Sequence, residues 1–301
     1  MGKLGGIMQT AIIILNYNDR ENTMQYVQTI RNYSYLDKII VVDNASTMPN
    51  EIENLRTLED DKVTLVLSDK NGGYASGNNV GLRYLEKNDP DISYVIISNP
   101  DVAVDNVVIG KCISYLEEHT SVAIVAPRMH FVNGPARRSA WKERTVGVDI
   151  ANSTRLTQAL LFPLFKKGEY TAQDWKQESM EVDAIAGSFF VARRSMFQEI
   201  GYFDENTFLF FEEDIIGYQL RQKGYQIVSL NQEKFIHYDS QCIGKLYSMF
   251  RKQDIMFDSR IYFHRHYHHS NIFVIFWLQI LRYLRKIELC MEVPIRKLCK
   301  K

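Results

Sequence analysis

The stretch SYVIISNPDV, residues 93–102, joins a nearly all-apolar run to a polar turn. Four further runs of this apolar, β-branched kind occur in the first 126 residues: TAIIILN (10–16), KIIVVD (38–43), KVTLVL (62–67) and SVAIVA (121–126). Runs that are apolar on both faces are typical of parallel strands buried between helices. Helix-compatible segments lie between them, at 20–32, 75–87 and 105–118. This alternation predicts an α/β fold with an open, mostly parallel sheet and helices on both faces.

The overall composition indicates a globular protein without a net charge. The chain has 301 residues, 46% of them hydrophobic, which is enough for one large domain or two smaller ones. Its 36 basic and 36 acidic residues cancel, so no overall field favours a nucleic acid partner. The four cysteines form no CxxC pair, which predicts neither a zinc site nor a disulfide framework.

The periodic pattern weakens after the last of these strands. Residues 130–145, HFVNGPARRSAWKERT, are typical of a loop-rich insertion, and the pattern stays weak to about residue 180. Regular structure is predicted again from residue 181, in EVDAIAGSFFVARRSMFQEIGYFDE. We therefore expect one α/β domain over residues 1–240 and a helical, basic C-terminal extension over residues 241–301.

The C-terminal extension fits two interpretations. Its longest apolar run, IFVIFWL at 272–278, is too short to span a bilayer, and residues 279–301 carry seven basic residues against two acidic ones. An apolar and basic helix suits a membrane surface, but it also suits packing on the domain with a solvated basic face. The N-terminus is a poor signal peptide, so we expect a cytoplasmic protein, with the inner face of the membrane as a second location.

Polar turns follow four of the predicted strands, at the sheet edge where ligands bind in open α/β folds. They are Asn16-Tyr17-Asn18, Asp43-Asn44-Ala45-Ser46, Asp69-Lys70-Asn71-Gly72-Gly73 and Asn99-Pro100-Asp101. The turn after the first strand is NYND, which lacks the GxGxxG of a dinucleotide-binding oxidoreductase, and the chain has no GxxxxGK[ST] loop. The glycines of NGGYASGNNVG (71–81) allow an anion to approach a helix N-terminus, although a tight turn needs the same glycines.

Asp101 is a candidate metal ligand. Pro100 fixes the turn, and Asp101 is expected to emerge at the end of a buried strand, in the ligand crevice. Mg²⁺ or Mn²⁺ binds readily to a few carboxylates together with phosphate oxygens. The alternative is an ordinary proline turn that binds nothing.

The stretch FLFFEEDIIGYQLRQKGYQ, residues 208–226, sets three carboxylates, Glu212, Glu213 and Asp214, between apolar side chains and a helix. Acidic residues are favoured at the start of a helix, so Glu213 or Asp214 could act as its cap. Alternatively, the flanking apolar groups and the neighbouring negative charges would raise the pKa of these carboxyl groups.

Taken together, these motifs over residues 10–240 resemble the family 2 glycosyltransferases, in the rhamnosyltransferase-like branch. The order of the motifs carries the resemblance: IILNYN, VVDNAS, NGGYASGNN, NPDV in the place of the DxD motif, AGSFFVARR, and FFEEDIIGYQLRQKGY with a histidine downstream. The resemblance implies the GT-A nucleotide-diphospho-sugar transferase fold, with a nucleotide-binding half over about 10–126 and an acceptor-binding half over about 127–240. It also implies an inverting transferase that acts in cell-surface polysaccharide synthesis, from a nucleotide-diphosphate sugar such as dTDP-rhamnose to a glycan or lipid-linked acceptor.

The resemblance assigns roles to individual residues. Donor and nucleotide binding falls to Asn16, Asn18, Asp43, Asn44, Asn71, Gly72, Asn78 and Asn99. Asp101 and His237 are the implied ligands of Mn²⁺ or Mg²⁺, with Asn99 standing where the family has its first acid. The general base is implied in the pair at the head of the helix; Glu213 is common to both possible alignments, Glu212 is the other member of one, and Asp214 is the cap or second choice.

Two other features and two other functions remain open at this point. HRHYHH (264–269) has no acidic or cysteine partner in sequence, so we expect no zinc there. The basic loop around Trp141, with Arg137, Arg138, Lys142 and Arg144, suits either a lipid-linked diphosphate or solvent. Asn99 and the basic tail favour, as the alternative function, a membrane-associated nucleotide-sugar-binding protein without activity. A nucleotidyltransferase is disfavoured, because NYND lacks its glycine- and lysine-rich loop.

Overall fold

A computed structural model describes residues 9–135, 139–165, 169–238 and 248–298. In chain order the first half contains β1 (Gln9–Asn16), α1 (Arg20–Ile30), β2 (Lys38–Asp43), α2 (Glu51–Arg56), β3 (Val63–Leu67), α3 (Gly73–Asn88), β4 (Ile92–Ser98), β5 (Val102–Ala103), α4 (Asn106–Glu118) and β6 (Val122–Phe131). The five strands and three helices expected from the sequence therefore all form, with small differences at their ends.

The second half adds shorter elements and four more strands of the main sheet. They are β7 (Gly134–Pro135), β8 (Ala140–Trp141), α5 (Val146–Ala151), α6 (Arg155–Phe165), β9 (Ser179–Val182), β10 (Ala184–Ile185), β11 (Phe189–Arg193), α7 (Arg194–Glu199), α8 (Glu212–Gln222) and β12 (Gln226–His237). The expectation of a loop-rich segment from 127 to 180 was wrong in part. The strand β6 continues through Phe131, and α5 and α6 occupy much of the interval.

The main sheet has the order β3-β2-β1-β4-β11-β6-β12-β5. The pairs β3–β2, β2–β1, β1–β4 and β6–β12 are parallel, whereas β11 runs antiparallel between β4 and β6. The predicted α/β architecture is thus confirmed. A strand from the second half of the chain lies in the centre of the sheet, so residues far apart in sequence meet at its edges.

Hydrophobic cores lie on both faces of this sheet. On one face, Ile12 and Ile14 of β1 pack with residues of α1 and α4; on the other, Ile13 packs with residues of α3, α7 and α8. Alternate residues of a strand point to opposite faces, so the unbroken apolar run of β1 supplies both cores.

The C-terminal region is helical, as predicted, with α9 (Met249–His266) and α10 (Ile272–Leu298). Ser248 caps α9, because its Oγ accepts a 3.2 Å hydrogen bond from the backbone N–H of Arg251. Within the described residues, no helix combines the length and the apolar character that crossing a bilayer requires.

Candidate active site

A buried polar network joins the ends of β1 and β2. These strands pair in register with Asn16 opposite Asp43, and Asn16 Nδ2 donates to Asp43 Oδ1 at 2.9 Å. The same amide nitrogen lies 3.1 Å from Oε1 of Glu51, whose side chain is also buried. Thr23 Oγ1 donates to Asn16 Oδ1 at 2.8 Å. Asn16 is fully buried, so it positions Asp43 and Glu51 from behind the crevice.

Asn18 orders the loop that follows Asp43. Its Oδ1 accepts hydrogen bonds from the backbone N–H groups of Thr47 and Met48, at 2.7 and 3.0 Å. Ser46 N–H donates to Asp43 Oδ2 at 3.0 Å, closing a tight turn. These three hydrogen bonds therefore hold the 46–48 loop next to the Asp43 carboxylate.

The predicted glycine-rich turn packs against the segment that carries the acids. Asn71 Oδ1 accepts from Gly73 N–H at 3.0 Å and from Asn44 Nδ2 at 3.1 Å, and Tyr74 N–H donates to the carbonyl of Phe208 at 2.9 Å. The N–H groups of Gly73 and Tyr74, the first two residues of α3, are therefore bound by protein oxygens and are not available to an anion in this structure. A Cβ at Gly73, whose φ is +89°, would lie 2.0 Å from the Phe208 carbonyl oxygen, which explains the glycine.

Two other residues of the stretch NGGYASGNNVG, which the family resemblance assigns to binding of the sugar donor, lie close by. Gly72 precedes the helix, and a Cβ there would lie 2.5 Å from Ser76 Oγ. Asn78 is fully buried and donates to the Tyr74 carbonyl at 3.0 Å. The buried Oδ1 atoms of Asn44 and Asn78 have no hydrogen-bond partner among the described residues, which leaves acceptors for a ligand or water.

Asp101 and His237 are brought together by strand pairing. Val102 of β5 is the partner of His237 of β12, and Asp101 Oδ1 lies 3.2 Å from His237 Nε2. Adjacent ligands of an octahedral ion with bonds of about 2.1 Å are about 3 Å apart, so both atoms can bind one Mn²⁺ or Mg²⁺. The described residues contain no group of three or more side chains arranged for a metal. Phosphate oxygens of a donor would have to complete such a shell.

A short segment from residue 186 to 188 connects this pair to the acidic helix. Asn99 N–H donates to the Ser188 carbonyl at 2.9 Å, and Gly187 N–H donates to Glu213 Oε1 at 3.1 Å. Tyr74 Oη donates to the Gly187 carbonyl at 2.6 Å. Burial, and then the charges of Glu213, Glu212 and Asp101, raise the pKa of Tyr74 well above its usual value. The glycine-rich turn, the NPD turn and the acidic helix thus meet around one tyrosine.

Glu213 is the most accessible of the three acids. Its side chain is half-buried, whereas Glu212 and Asp214 are buried. Burial and the charge of Asp214 raise the pKa of Glu213 to about 7, while the Gly187 N–H and Arg144 act against the rise. A carboxylate with this pKa is ionised in a useful fraction at neutral pH and can still accept a proton.

Its two neighbours have different surroundings. Burial and the charge of Glu213 raise the pKa of Glu212 well above its usual value, and its Oε2 has no partner among the described residues. Asp214 Oδ1 accepts from Trp141 Nε1 at 2.8 Å, and Oδ2 lies 3.3 Å from Arg144 Nε. Neither Glu213 nor Asp214 caps α8: the cap position is Phe211, which makes no side-chain cap hydrogen bond. The interpretation of Glu213 or Asp214 as the N-cap was therefore wrong, although all three acids lie in the first turn of α8, where the helix dipole favours them.

The backbone before these acids is strained. Phe210 and Phe211 have φ values of 71° and 70°, in the left-handed region that bulky residues rarely adopt. Phe211 packs with Ile215 and with Phe263 of α9, and Ser259 of α9 donates to the Leu209 carbonyl at 2.8 Å. Such strain is kept where the surroundings enforce it, commonly at functional sites.

Arg144 links the acidic helix to a buried cluster on α9. Its guanidinium lies 3.6 Å from Asp149 as well as near Asp214, and it stacks on the ring of Phe211 at 4.7 Å. Asp149 Oδ2 contacts His264 Nε2 at 2.8 Å. Of the predicted basic loop, Arg144 is therefore turned inward, Lys142 lies over the ring of Tyr170, and Arg137 and Arg138 lie outside the described residues.

The histidine-rich segment takes part in this cluster. His264 Nδ1 lies 3.2 Å from His268 Nδ1, and His268 Nε2 lies 2.7 Å from Glu143 Oε1. Acidic partners absent from the local sequence are thus supplied by Asp149 and Glu143. The histidine-rich segment therefore joins the end of α9 to Glu143 and Asp149.

Sequence reasoning missed Glu51, Tyr74, Gly187 and the linking role of Arg144. Glu51 and Tyr74 each carried a weak signal, since both lie within a few residues of predicted turns. Gly187 lies in the AGSFFVARR motif, although nothing local indicated that its N–H would meet Glu213.

Comparison with known proteins gives one family. The family model described as Glycosyl transferase family 2 matches residues 11–201. A curated relative is 27% identical over 228 residues, which cover 75% of this chain and 66% of the relative: the low-salt glycan biosynthesis hexosyltransferase Agl10 of Haloferax volcanii. Another is 25% identical over 157 residues, which cover 50% of this chain and 49% of the relative: the N-acetylglucosaminyl-diphospho-decaprenol L-rhamnosyltransferase of Mycobacterium tuberculosis. The chain therefore spans between about half and two thirds of the length of these relatives.

Solved structures of similar fold include two glycosyltransferases with a bound nucleotide and Mn²⁺. GalNAc-T7 with UDP, GalNAc and Mn²⁺ superposes with a TM-score of 0.59 and 14% identity, covering 77% of this chain and 44% of the other. The mannosyltransferase PcManGT of Pyrobaculum calidifontis, with GDP-Man and Mn²⁺, gives a TM-score of 0.54 and 14% identity, covering 83% of this chain and 62% of the other. At this identity the likeness concerns the fold alone.

Proposed function

The chain belongs to glycosyl transferase family 2, and from this premise we propose that it is an inverting glycosyltransferase with Glu213 as its general base. The family and the GT-A fold expected from the sequence are both confirmed by the comparisons. We further propose that residues 1–240 form the catalytic domain, with halves at about 10–126 and 127–240, and that residues 241–301 form an extension.

One observation carries the proposal. Glu213, half-buried and with its pKa raised to about 7, is tied through Gly187 to the strand end that holds Asn99 and Asp101. A single displacement at a sugar carbon requires a base and a diphosphate site at a fixed distance from each other. The 186–188 segment contacts both the base and the candidate diphosphate site.

The proposed reaction is one concerted exchange. As the acceptor oxygen attacks the anomeric carbon, Glu213 takes the hydroxyl proton, a new C–O bond forms, and the bond from that carbon to the diphosphate oxygen breaks. The nucleoside diphosphate leaves with the bonding electron pair, and the configuration at the carbon is inverted. Burial and the charge of Glu213 raise the pKa of Glu212, which favours its neutral form and so reduces the negative charge beside the base.

Asp101 and His237 would hold Mn²⁺ or Mg²⁺ in this proposal. A divalent ion supplies positive charge to the leaving diphosphate. Two solved structures of similar fold contain Mn²⁺, which supports a metal of this class. Asn99 at the place of the first acid leaves one carboxylate in this turn, so the donor phosphates contribute a larger share of the ligands.

For the donor we propose a nucleotide-diphosphate sugar, with dTDP-rhamnose first among the candidates. Asp43, positioned by Asn16, would accept hydrogen bonds from the base or ribose, and Asn44 and Asn78 would lie near the nucleotide or sugar. Asn18, Asn71 and Gly72 would shape the same pocket. Support for rhamnose comes from the name of one relative and from the NPD turn of this chain.

For the acceptor we propose a hydroxyl of a glycan, free or carried on a lipid, in cell-surface polysaccharide synthesis. One curated relative is named for low-salt glycan biosynthesis, and the name of another gives N-acetylglucosaminyl-diphospho-decaprenol as its acceptor. We place the reaction in the cytoplasm, at the inner face of the membrane, with α10 as the element that meets the lipid.

A binding experiment separates the proposal from its alternative, a nucleotide-sugar-binding protein without activity. UDP, dTDP, GDP and NAD are each added with and without Mn²⁺, and the melting temperature of the full chain is measured. We expect one nucleoside diphosphate to stabilise the protein only with Mn²⁺, because ligands that bind the native state raise its stability. Stabilisation by NAD alone, or by none, would contradict the proposal. Binding of a donor without transfer to any glycan acceptor would favour the alternative.

A further inference from the structure

The helix α10 presents a continuous apolar face to solvent. From Ile272 to Glu292, the most exposed side chains are all apolar or aromatic, apart from Cys290. The largest are Phe273, Phe276, Trp277, Tyr283, Ile287 and Met291, each with between 57% and 73% of its surface exposed. At about 100° per residue, these positions fall within about a third of the helix circumference, and they extend over a length of about 27 Å. We call these six residues the outer face of α10.

The charged groups of α10 point elsewhere. Arg282 pairs with Asp254 and Asp258 of α9 at 2.8 and 2.7 Å, and Lys286 pairs with Asp254 at 2.7 Å. Ile275 and Leu278 pack on Ile261 of α9. The interpretation of a packed helix with a solvated basic face was therefore wrong in one respect: α10 does pack on the domain, but between Ile272 and Glu292 its solvated face is apolar.

The start of α6 is attached to the same helix. The backbone N–H groups of Arg155 and Leu156 donate to the Glu288 carboxylate at 2.9 and 3.2 Å, and Arg155 also pairs with Glu292 at 2.6 Å. Leu156 and Leu160 of α6 are 62% and 66% exposed. Two helices that are fixed to each other thus both expose large apolar side chains.

We propose that the outer face of α10, together with the exposed leucines of α6, rests on the surface of an anionic lipid bilayer, with α10 parallel to the membrane plane. Exposed Phe, Trp and Tyr side chains on one helix face are typical of elements that lie in the head-group region. The chain after Glu292 adds four basic residues and no acid, which complements anionic head groups.

The position of this surface relative to the acids gives it a role. The outer face of α10 and the acidic helix α8 are connected through α9. The helix α9 contacts α10 through Ile261, and it contacts the segment that carries the acids through Ser259 and Phe263. Binding to a bilayer would therefore hold the Glu213 side of the protein close to acceptors carried on lipid. This consequence rests on the proposed transferase function, whereas the binding itself does not.

The test is flotation of the full chain with lipid vesicles. Vesicles of phosphatidylglycerol with phosphatidylcholine are compared with vesicles of phosphatidylcholine alone, for the wild type, for Trp277→Gln and for the control Val107→Gln. Val107 lies on α4 and is 63% exposed, so the control removes a similarly exposed apolar group elsewhere. We expect the wild type and the control to bind the anionic vesicles preferentially, and Trp277→Gln to bind them roughly ten-fold more weakly.

Three outcomes would overturn the proposal. They are absence of wild-type binding, equal binding to both vesicle types, and unchanged binding of Trp277→Gln. Sedimentation in the absence of lipid identifies the competing occupant: a dimer that Trp277→Gln dissociates, without vesicle binding, assigns the face to a second copy. Transfer to a water-soluble acceptor should be equal in the wild type and in Trp277→Gln. If neither protein shows transferase activity, the proposed function is contradicted, whereas the proposed membrane surface is not.

Discussion

The backbone N–H of Gly187 and the carboxylate of Glu213 are held together by a 3.1 Å hydrogen bond, and a methyl group on Gly187 would lie 2.9 Å from the same oxygen. Glycine at this position therefore lets the carboxylate sit directly on the backbone. The same peptide segment is bound to Asn99 through Ser188, so it sets the distance between the acid and the predicted metal turn.

Gly187→Ala should impair catalysis without unfolding the protein. The clash involves the end of a flexible side chain, and the φ of Gly187 is not in the left-handed region, so the free energy of unfolding should change by no more than about 1 kcal/mol. The carboxylate must move, however, and we expect kcat to fall at least about ten-fold. Ser188→Ala, which keeps the backbone contacts, is the matched control. Equal kcat values for Gly187→Ala and the wild type would show that the position of Glu213 is not critical.

The rate should depend on the ionisation of Glu213. Its pKa is raised to about 7, and a base acts only when deprotonated, so kcat/KM for the acceptor should rise with pH and level off above about 7. Glu213→Gln should lower kcat by about 10²-fold or more and remove this dependence. The measurement is a pH–rate profile of both proteins with a saturating donor. A Glu213→Gln variant that keeps the wild-type profile would exclude this residue as the base.

The individual strands and helices could be predicted, because β-branched runs and helical periodicity are patterns of neighbouring residues. The β1 to α4 alternation and the crevice turns follow from such patterns. The insertion of β11 between β4 and β6 does not, since it depends on pairing between strands about 90 residues apart. The same limit applies to the site: Asp101 and Glu213 stand out in the sequence, but the contact of Asp214 with Trp141 and Arg144 joins residues about 70 positions apart and has no local signal.

Arg144 should act on both stability and the pH profile. It lies between the buried carboxylates of Asp149 and Asp214, so Arg144→Gln should lower the free energy of unfolding by on the order of 3 kcal/mol. Its charge also lowers the pKa of Glu213, so its loss should move the inflection of the rate profile to higher pH. Arg144→Lys should retain much of the pH profile, which a purely structural effect would not predict. The control is Arg83→Gln, which breaks an exposed ion pair with Glu205. An unmoved inflection in Arg144→Gln would separate Arg144 from the base.

Asp101 should determine the affinity for the metal. Asp101→Asn preserves size and the contact with His237 but removes a charge, so the Mn²⁺ concentration for half-maximal activity should rise at least about ten-fold. Asp105→Asn, at an exposed acid four residues further on, is the control and should leave the metal titration unchanged. Removal of divalent ions with a chelator should abolish transfer in the wild type. Full activity under chelation would contradict the metal assignment altogether.

Asn16 should be essential for the stability of the region that joins β1, β2 and α2, because its amide group is the donor between two buried carboxylates. Its amide nitrogen faces Asp43 at 2.9 Å and Glu51 at 3.1 Å, so Asn16→Asp replaces a donor by a third carboxyl group in the same buried space. We expect the free energy of unfolding to fall by on the order of 3 kcal/mol, measured by urea denaturation. The matched control is Asn18→Asp, since the Oδ1 atom of Asn18 accepts from two backbone N–H groups and a carboxylate can do the same. If both variants unfold at the same urea concentration as the wild type, the Asn16 amide does not stabilise the pair, and the burial of Asp43 and Glu51 must be compensated by other groups.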